Sequence, residues 1–192
     1  MLSPEDLAQH LAGVALSTER LGLRALTPAD NEAQIAHESN RAIMAMIRDP
    51  LPPEEIAERV RTLSGPWQAT EGSWIGLALV ESSTDKITGF FFLRVTCHES
   101  QSVELGYRLH PDYWGLGYAT EAARCLLTYF DEVLKVRKVV AYCVADNDAS
   151  AGLLEKMGFT REGCLRKHSP LGGRWQDELV YGLVLAPERE VP

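Results

Sequence analysis

The sequence predicts one α/β domain of the α+β kind: a mixed, mostly antiparallel central sheet of about seven strands, with a parallel pair at its centre and helices on both faces. Three observations predict it. Segments 74–80, 87–95 and 103–109 follow one another with period-two alternation, β-favouring residues and short polar turns such as Ser82-Ser83-Thr84-Asp85, the pattern of an antiparallel meander. A long amphipathic stretch then separates segment 103–109 from segment 139–144, and the order strand, crossover helix, strand makes that pair parallel. Segment 139–144 is a nearly unbroken apolar run, as in a central strand covered on both faces.

The remaining elements fall into order around this centre. Ser3 caps a short helix with Pro4 at its first position and Glu5 and Asp6 in its first turn; it reaches about Ala12 and forms an accessory segment within residues 1–18. Segment 20–26 alternates as a first strand, and Thr27-Pro28-Ala29-Asp30 opens a helix to about Asn40. Pro50, Pro52 and Pro53 break the chain before a second helix at 54–63, where Ile56, Val60 and Leu63 recur at helical spacing. The amphipathic stretch after the meander places Ala119, Ala122, Ala123, Leu126, Leu127, Phe130 and Val133 on one stripe. A further helix at 148–157 presents Ser150, Leu153, Leu154 and Met157 on one side and stops at Gly158. Strands 159–167 and 175–185, joined by a turn with Gly172-Gly173, complete a single domain spanning 1–192, and 45% hydrophobic residues suffice for its core.

Composition narrows the function. A net charge of -8 excludes a general polyanion binder, since nucleic-acid affinity rests on clustered Lys and Arg, and it suits an amine-bearing partner. Cys97, Cys125, Cys143 and Cys164 are far apart with no Cys-x-x-Cys pair, and three lie in apolar stretches, so buried free thiols are expected rather than disulfides; no metal-ligand spacing occurs, and no metal is expected. Residues 1–20 lack a basic stretch followed by a long apolar run, and no segment is long enough to span a bilayer, so a cytoplasmic protein with no membrane partner is expected.

Two glycines, Gly115 and Gly117, stand between a strand and the long helix. Such a junction directs free N–H groups and the helix's positive end at one spot, which suits a phosphate. Glycine admits close approach and positive φ. A P-loop would need Lys after the second glycine, and a dinucleotide fingerprint a third glycine where Thr120 stands, so neither fits.

The stretches YWGLGYATEA (113–122) and VADNDASAGLLEKMGFTREG (144–163), in this order, resemble the GNAT superfamily of acetyl-CoA-dependent N-acetyltransferases, and within it the RimJ/RimL-like branch, whose namesakes acetylate ribosomal-protein N-termini. The resemblance spans residues 20–185 and implies the GNAT fold, with the parallel strands 103–109 and 139–144 splaying apart to admit the pantetheine arm of acetyl-CoA. The family's pyrophosphate motif, Gln/Arg-x-x-Gly-x-Gly/Ala, falls on Trp114, Gly117 and Ala119; Trp114 departs from it, so the amides of Gly115, Leu116, Gly117, Tyr118, Ala119 and Thr120 are implied to carry the phosphates. By the same resemblance Leu109 hydrogen-bonds the cofactor, Asn147 binds the pantetheine arm, and the Ser150 hydroxyl faces the thioester sulfur. Read from the residues alone, Asn147 and Asp148 cap a helix and Ser150 lies in its first turn.

An acceptor ammonium must lose a proton before attack, and Glu104, on the cofactor strand beside Gly106, is the candidate base. Its alternative is a solvent-facing carboxylate or one paired with Arg108. Asp177 matches an Asp-x-x-x-Tyr pattern of the branch with Tyr181 as partner, His110 reads as structural, and His37 and Glu38 border the implied acceptor site. The expected function is acetyl transfer from acetyl-CoA to a primary amine, a protein N-terminal α-amine first, by direct attack without an acyl-enzyme. Alternatives are a small-molecule amine acceptor (aminoglycoside, polyamine or amino acid) and a non-catalytic acetyl-CoA-binding module. The branch also implies a homodimer; Phe90, Phe91 and Phe92 read as either core or interface.

Overall fold

The computed structural model describes residues 1–186. Its elements in chain order are α1 (Pro4–Ala12), β1 (Ala15–Ser17), β2 (Leu21–Ala25), α2 (Asn31–Ser39), α3 (Arg41–Met44), α4 (Pro53–Leu63), β3 (Trp74–Glu81), β4 (Lys86–Cys97), β5 (Ser102–Leu109), α5 (Tyr118–Glu132), β6 (Lys138–Val144), α6 (Asp148–Lys156), β7 (Thr160–Leu171) and β8 (Arg174–Val184), with 3₁₀ turns at Pro28–Asp30 and Pro111–Tyr113. The eight strands form one sheet in the order β1-β2-β3-β4-β5-β6-β8-β7, antiparallel everywhere except at β5–β6. The strand beyond the expected seven is β1. At three residues it is too short for alternation to declare itself, and pairing with β2 defines it.

Alternation along β4 explains why its apolar run is core on both sides. Phe91, Leu93 and Val95 join the cluster formed with α1 and α5, while Phe90 and Phe92 pack with Leu26, Ala78 and the α4 residue Leu63 on the opposite face. Phe90, Phe91 and Phe92 are therefore interior. On β5 the same alternation sends Val103, Leu105 and Leu109 into the α1/α5 core and leaves Glu104, Gly106 and Arg108 facing the α2–α4 side.

Parallel pairing of β5 with β6 ends after Ser102↔Lys138, Val103↔Val139 and Glu104↔Val140, although β5 continues to Leu109 and β6 to Val144. Each diverging strand is held by its outer neighbour, β5 by β4 as far as Leu109 and β6 by β8 as far as Val144. The sheet thus opens at its centre without losing its halves.

All four cysteines are free, but the expectation of buried thiols holds fully only for Cys143; Cys97 and Cys125 are half-buried and Cys164, on the partly solvated β7, is exposed. No helix among the described residues is long and apolar enough to cross a membrane.

The face that α2 turns inward is polar: Gln34, His37 and Glu38 are all buried. The His37 ring meets Phe90 edge-on with centroids 5.0 Å apart, and burial, with Arg108 and His110 nearby and Glu38 opposing, pushes its imidazole down to about 4. The unfolded chain, with an ordinary value of 6.5, binds this proton first, so stability is present above pH 6.5 and is lost as pH falls toward 4. The fold is expected to be roughly 2 kcal/mol less stable at pH 5 than at pH 7 from this group. Asp30 and Glu38, held below the usual carboxylate range, lose their contribution only at lower pH. Urea unfolding across that window should show the loss in the wild type and its disappearance in His37→Gln; an unchanged slope in the variant would assign it elsewhere.

Candidate active site

The glycine loop is held by a network from the turn between β1 and β2. Gly115 and Gly117 sit at φ +75° and +81°, and Gly117 forms the N-terminal boundary of α5. The first bond of that helix runs from Glu121 N–H to the Gly117 carbonyl (3.0 Å), which leaves the preceding amides available at its positive end. Arg20 fixes this arrangement: it donates to the Leu116 carbonyl at 3.1 Å, pairs with Glu121 at 2.6 Å, and lies 4.6 Å from the Tyr118 ring centroid. Thr18 donates a second bond to Glu121, at 2.5 Å. A Cβ at Gly115 would meet nothing within 4 Å, so the loop's ligand side is open, and bare amides there fit a pyrophosphate.

Trp114 has a different task from a phosphate ligand. Its indole N–H donates to the Leu109 carbonyl at 2.9 Å, tying the loop to the end of β5. One lone pair of that carbonyl is thereby engaged, and the second remains for a cofactor amide. Tyr118 turns its hydroxyl to Glu81 (2.5 Å), so only its backbone serves the loop, and Ala119 and Thr120 complete the first turn.

At the opening between β5 and β6, α6 brings Ser150 to Tyr107. Their hydroxyl oxygens are 2.9 Å apart, and burial pushes the Tyr107 phenol up to about 12, so it is a proton donor at neutral pH. Asn147 accepts from Ser150 N–H at 3.1 Å, so it does cap α6, while its amide nitrogen has no partner among the described residues. Capping and cofactor binding are thus compatible in one side chain.

Glu104 is buried and takes Arg94 as its partner, with bonds of 2.6 and 2.8 Å. The reading as solvent-facing or paired with Arg108 is corrected. A bulge between Val95 and Cys97 shifts the β4–β5 register by one residue, which sets Arg94 rather than Val95 opposite Glu104. Burial raises the Glu104 carboxyl above its ordinary value, with Arg94 opposing. Arg94 in turn lies over the Trp74 ring at 4.7 Å.

The other sequence candidates separate. Asp177 accepts from Lys167 N–H (2.8 Å), while Tyr181 is buried and donates to Glu155 (3.0 Å), so the expected Asp177–Tyr181 partnership does not form; four residues apart on an extended strand, they find nearer partners. His110 accepts from Asp112 N–H (3.4 Å) at the 3₁₀ turn, a structural position. His37 and Glu38 lie beneath the cavity wall rather than on it: Glu38 is ion-paired with Arg108 (2.6 Å) and Arg48, and those two arginines line the cavity. Among the described residues no group of side chains forms a metal site. Sequence reasoning missed Tyr107, Arg20 and Arg94; for Tyr107 a signal existed, since a phenol on a core-facing strand position must find a hydrogen-bond partner.

One cavity of about 1500 Å³ joins these features, running from Gly115 and Gly117 past Tyr107, Asn147 and Ser150 to Glu104, Arg108, Arg48 and Trp74. It exceeds the volume of a single small-ligand site and can hold a long cofactor together with an acceptor.

Comparison with known proteins agrees with this geometry. The uncharacterized N-acetyltransferase YoaA of Bacillus subtilis is 29% identical over 88% of this chain and 96% of its own. The [ribosomal protein uS5]-alanine N-acetyltransferase of Escherichia coli is 23% identical over 69% of this chain and 73% of its own. Among solved structures, RimL, a ribosomal L7/L12 α-N-protein acetyltransferase in complex with coenzyme A, superposes with a TM-score of 0.78 at 21% identity over 89% of this chain and 98% of its own. The spermidine N-acetyltransferase of Vibrio cholerae, in complex with CoA and spermine, does so with 0.76 at 21% identity over 88% and 98%. The family model of the acetyltransferase (GNAT) domain matches residues 20–160, well over half the chain, and the protein accordingly belongs to the GNAT family of acetyl-CoA-dependent N-acetyltransferases.

Proposed function

We propose that this enzyme passes the acetyl group of acetyl-CoA to a protein N-terminal α-amine by direct attack in a ternary complex. The observation that carries the reading is the break between β5 and β6, where the Ser150–Tyr107 pair and the buried Glu104 open into the cavity that begins at the glycine loop. Bound acetyl-CoA supplies an activated acyl group and a thiolate leaving group. The amides of Gly115, Leu116, Gly117, Tyr118, Ala119 and Thr120 bind its pyrophosphate, the free edge of β5 at Leu109 and the Asn147 amide bind its arm, and Trp114 keeps loop and strand in register.

With Tyr107 as the donor in its 2.9 Å contact with Ser150 Oγ, the serine proton is free to point at the departing sulfur. Glu104 takes the proton from the acceptor ammonium. Its raised pKa makes it a better match for that task than an ordinary exposed carboxylate, and Arg94 holds it in place. Burial pushes the Cys143 thiol up, away from the thiolate an acyl-enzyme would require. A peptide acceptor is supported by the size of the cavity and by the half-exposed Met46 and Ile47 on its wall, which offer apolar contact to a chain segment. The names of the uS5-alanine and L7/L12 enzymes point the same way. A small cationic amine is the second reading, favoured by Glu104 and Glu178 in the cavity and by the spermidine enzyme.

Thiol release from acetyl-CoA, measured with a peptide α-amine panel beside polyamine and aminoglycoside panels, tests the choice. Peptides are expected to be acetylated preferentially, with kcat falling on the order of 100-fold in Ser150→Ala and about 10-fold in Tyr107→Phe while acetyl-CoA affinity holds. Tight cofactor binding without turnover on any amine would point to the non-catalytic module instead.

The pH profile supplies a second test. A base must be deprotonated to act, so kcat/KM should rise with pH through the raised Glu104 pKa, and that limb should vanish in Glu104→Gln along with most of the activity. An acidic limb that survives unchanged in the variant removes Glu104 from the role.

A further inference from the structure

The acceptor end of the cavity carries more positive charge than its own neutralisation requires. Arg48, Arg59 and Arg108 all line it. One buried carboxylate, Glu38, is shared between Arg48 and Arg108, whose side chains are only 16% and 11% exposed. Arg59 is exposed and has no hydrogen-bond or ion-pair partner among the described residues. Glu58, its sequence neighbour on α4, is already paired with Arg61 at 2.5 Å, and among the described residues no ion pair joins Arg59 to Glu55 one turn earlier. Asp49 accepts from Gly172 N–H at the tip of the β7–β8 hairpin (2.7 Å). In this corner three guanidinium groups thus share one carboxylate, Glu38, while Glu58 and Glu104, which also line the cavity, are committed to Arg61 and Arg94, in a chain whose net charge is -8.

The bonding within the corner is also incomplete. Arg108 Nη1 donates to the thioether of Met44 at 3.3 Å, a weak acceptor, and its guanidinium lies over the Phe92 ring at 4.3 Å. Arg48 Nε is buried with no hydrogen-bond partner among the described residues. A cavity-lining guanidinium that spends a donor on sulfur gains more from a carboxylate, which binds it in a charge-assisted and often bidentate manner.

The position of the corner sets which acceptors can use it. Glu104, Gly106 and Arg108 occupy one face of β5, and Gly106 leaves open floor between them: a Cβ there would meet only Phe92 Cβ, at 3.9 Å. An amine placed over Gly106 has the base candidate two residues to one side and Arg108 two residues to the other, about 7 Å each way along the strand.

We propose that Arg48, Arg59 and Arg108 form a subsite for an anionic group, so that the enzyme selects amine acceptors bearing a carboxylate within about one residue of the reacting nitrogen. This rests on the acetyl-transfer reading above. The carboxylate can come from an acidic residue at the first or second position of a peptide or from a free dicarboxylic amino acid; a polyamine has none.

The test compares peptides alike except for Asp, Asn or Lys at the second position, a peptide beginning with Asp, and free aspartate and glutamate. Asp over Asn is expected to raise kcat/KM about 10-fold, with Lys poorest, and Arg59→Gln should bring the ratio close to 1 at unchanged acetyl-CoA KM. Arg59→Gln is the primary variant because it breaks no bond of the fold; Arg48→Gln is the second. Faster transfer to the free amino acids than to the peptides would identify them as the source of the carboxylate, and the reverse an N-terminus. Binding of the corresponding N-acetylated peptides to the CoA-loaded protein is measured by calorimetry in parallel. Equal rates and equal affinities for the Asp and Asn forms would overturn the subsite and leave acetyl transfer standing. An Asp preference in binding, abolished by Arg59→Gln but without turnover on any amine, would uphold the subsite and overturn the transfer reading.

Discussion

Hydrogen bonding between β5 and β6 stops after three residue pairs, and the chemistry assembled around the cavity depends on that break. A sheet interior normally satisfies every backbone N–H and C=O, so two strands parting at its centre leave polar groups that something else must meet. The protein confines the consequence by keeping both strands fully paired on their outer edges, so the opening is a wedge in a rigid frame rather than a frayed edge. Rigid walls matter here because hydrogen-bond donors preorganised around a reacting group need not reorient as charge develops. The Tyr107–Ser150 contact bridges the wedge from β5 to α6 by side chains where backbone pairing has ceased.

The α2–α4 side of the sheet is built on a different principle. Where α5 and α1 cover their face with aliphatic side chains, α2 presents Gln34, His37 and Glu38, and the interior beneath the cavity wall is held by charge and hydrogen bonding. Removing one partner of such a buried group costs far more than the pair contributes, so Glu38 fixes Arg108 and Arg48 in place more than it adds to stability. The neutral His37 beside them adds no further positive charge at physiological pH. Arg48 and Arg108 on the cavity wall therefore rest on a layer of polar residues that do not themselves line the cavity.

Much of this was legible in the sequence, and the gaps have physical causes. The long helix, the meander and the parallel crossover follow from periodicity, because burial on one face or two leaves a repeat that does not depend on tertiary detail. The Gly115–Gly117 loop was legible because positive φ and open backbone restrict the residue type. β1 and α3, three and four residues long, were not legible, because neither completes enough of a repeat. The partner of Glu104 was hidden for another reason: a single bulge between Val95 and Cys97 decides whether Val95 or Arg94 stands opposite, and nothing local in the chain announces it. Asp177 and Tyr181 illustrate the same point, since four-residue spacing on a strand separates side chains that the same spacing on a helix would join.

Alternation along β5 ties the two faces of the sheet together. Val103, Leu105 and Leu109 anchor the strand in the α1/α5 core, while Glu104, Gly106 and Arg108 pave the cavity floor. A slip of one residue would exchange the two sets, burying two charges in an aliphatic core and exposing its anchors, so the packing of one face enforces the placement of the other. Tyr107 is the exception that completes the site: it occupies a core-face position at the level where β6 has already departed, and the space so vacated lets α6 offer Ser150 to its hydroxyl. The residue that would be a packing element in an unbroken sheet is, through the splay, hydrogen-bonded to Ser150.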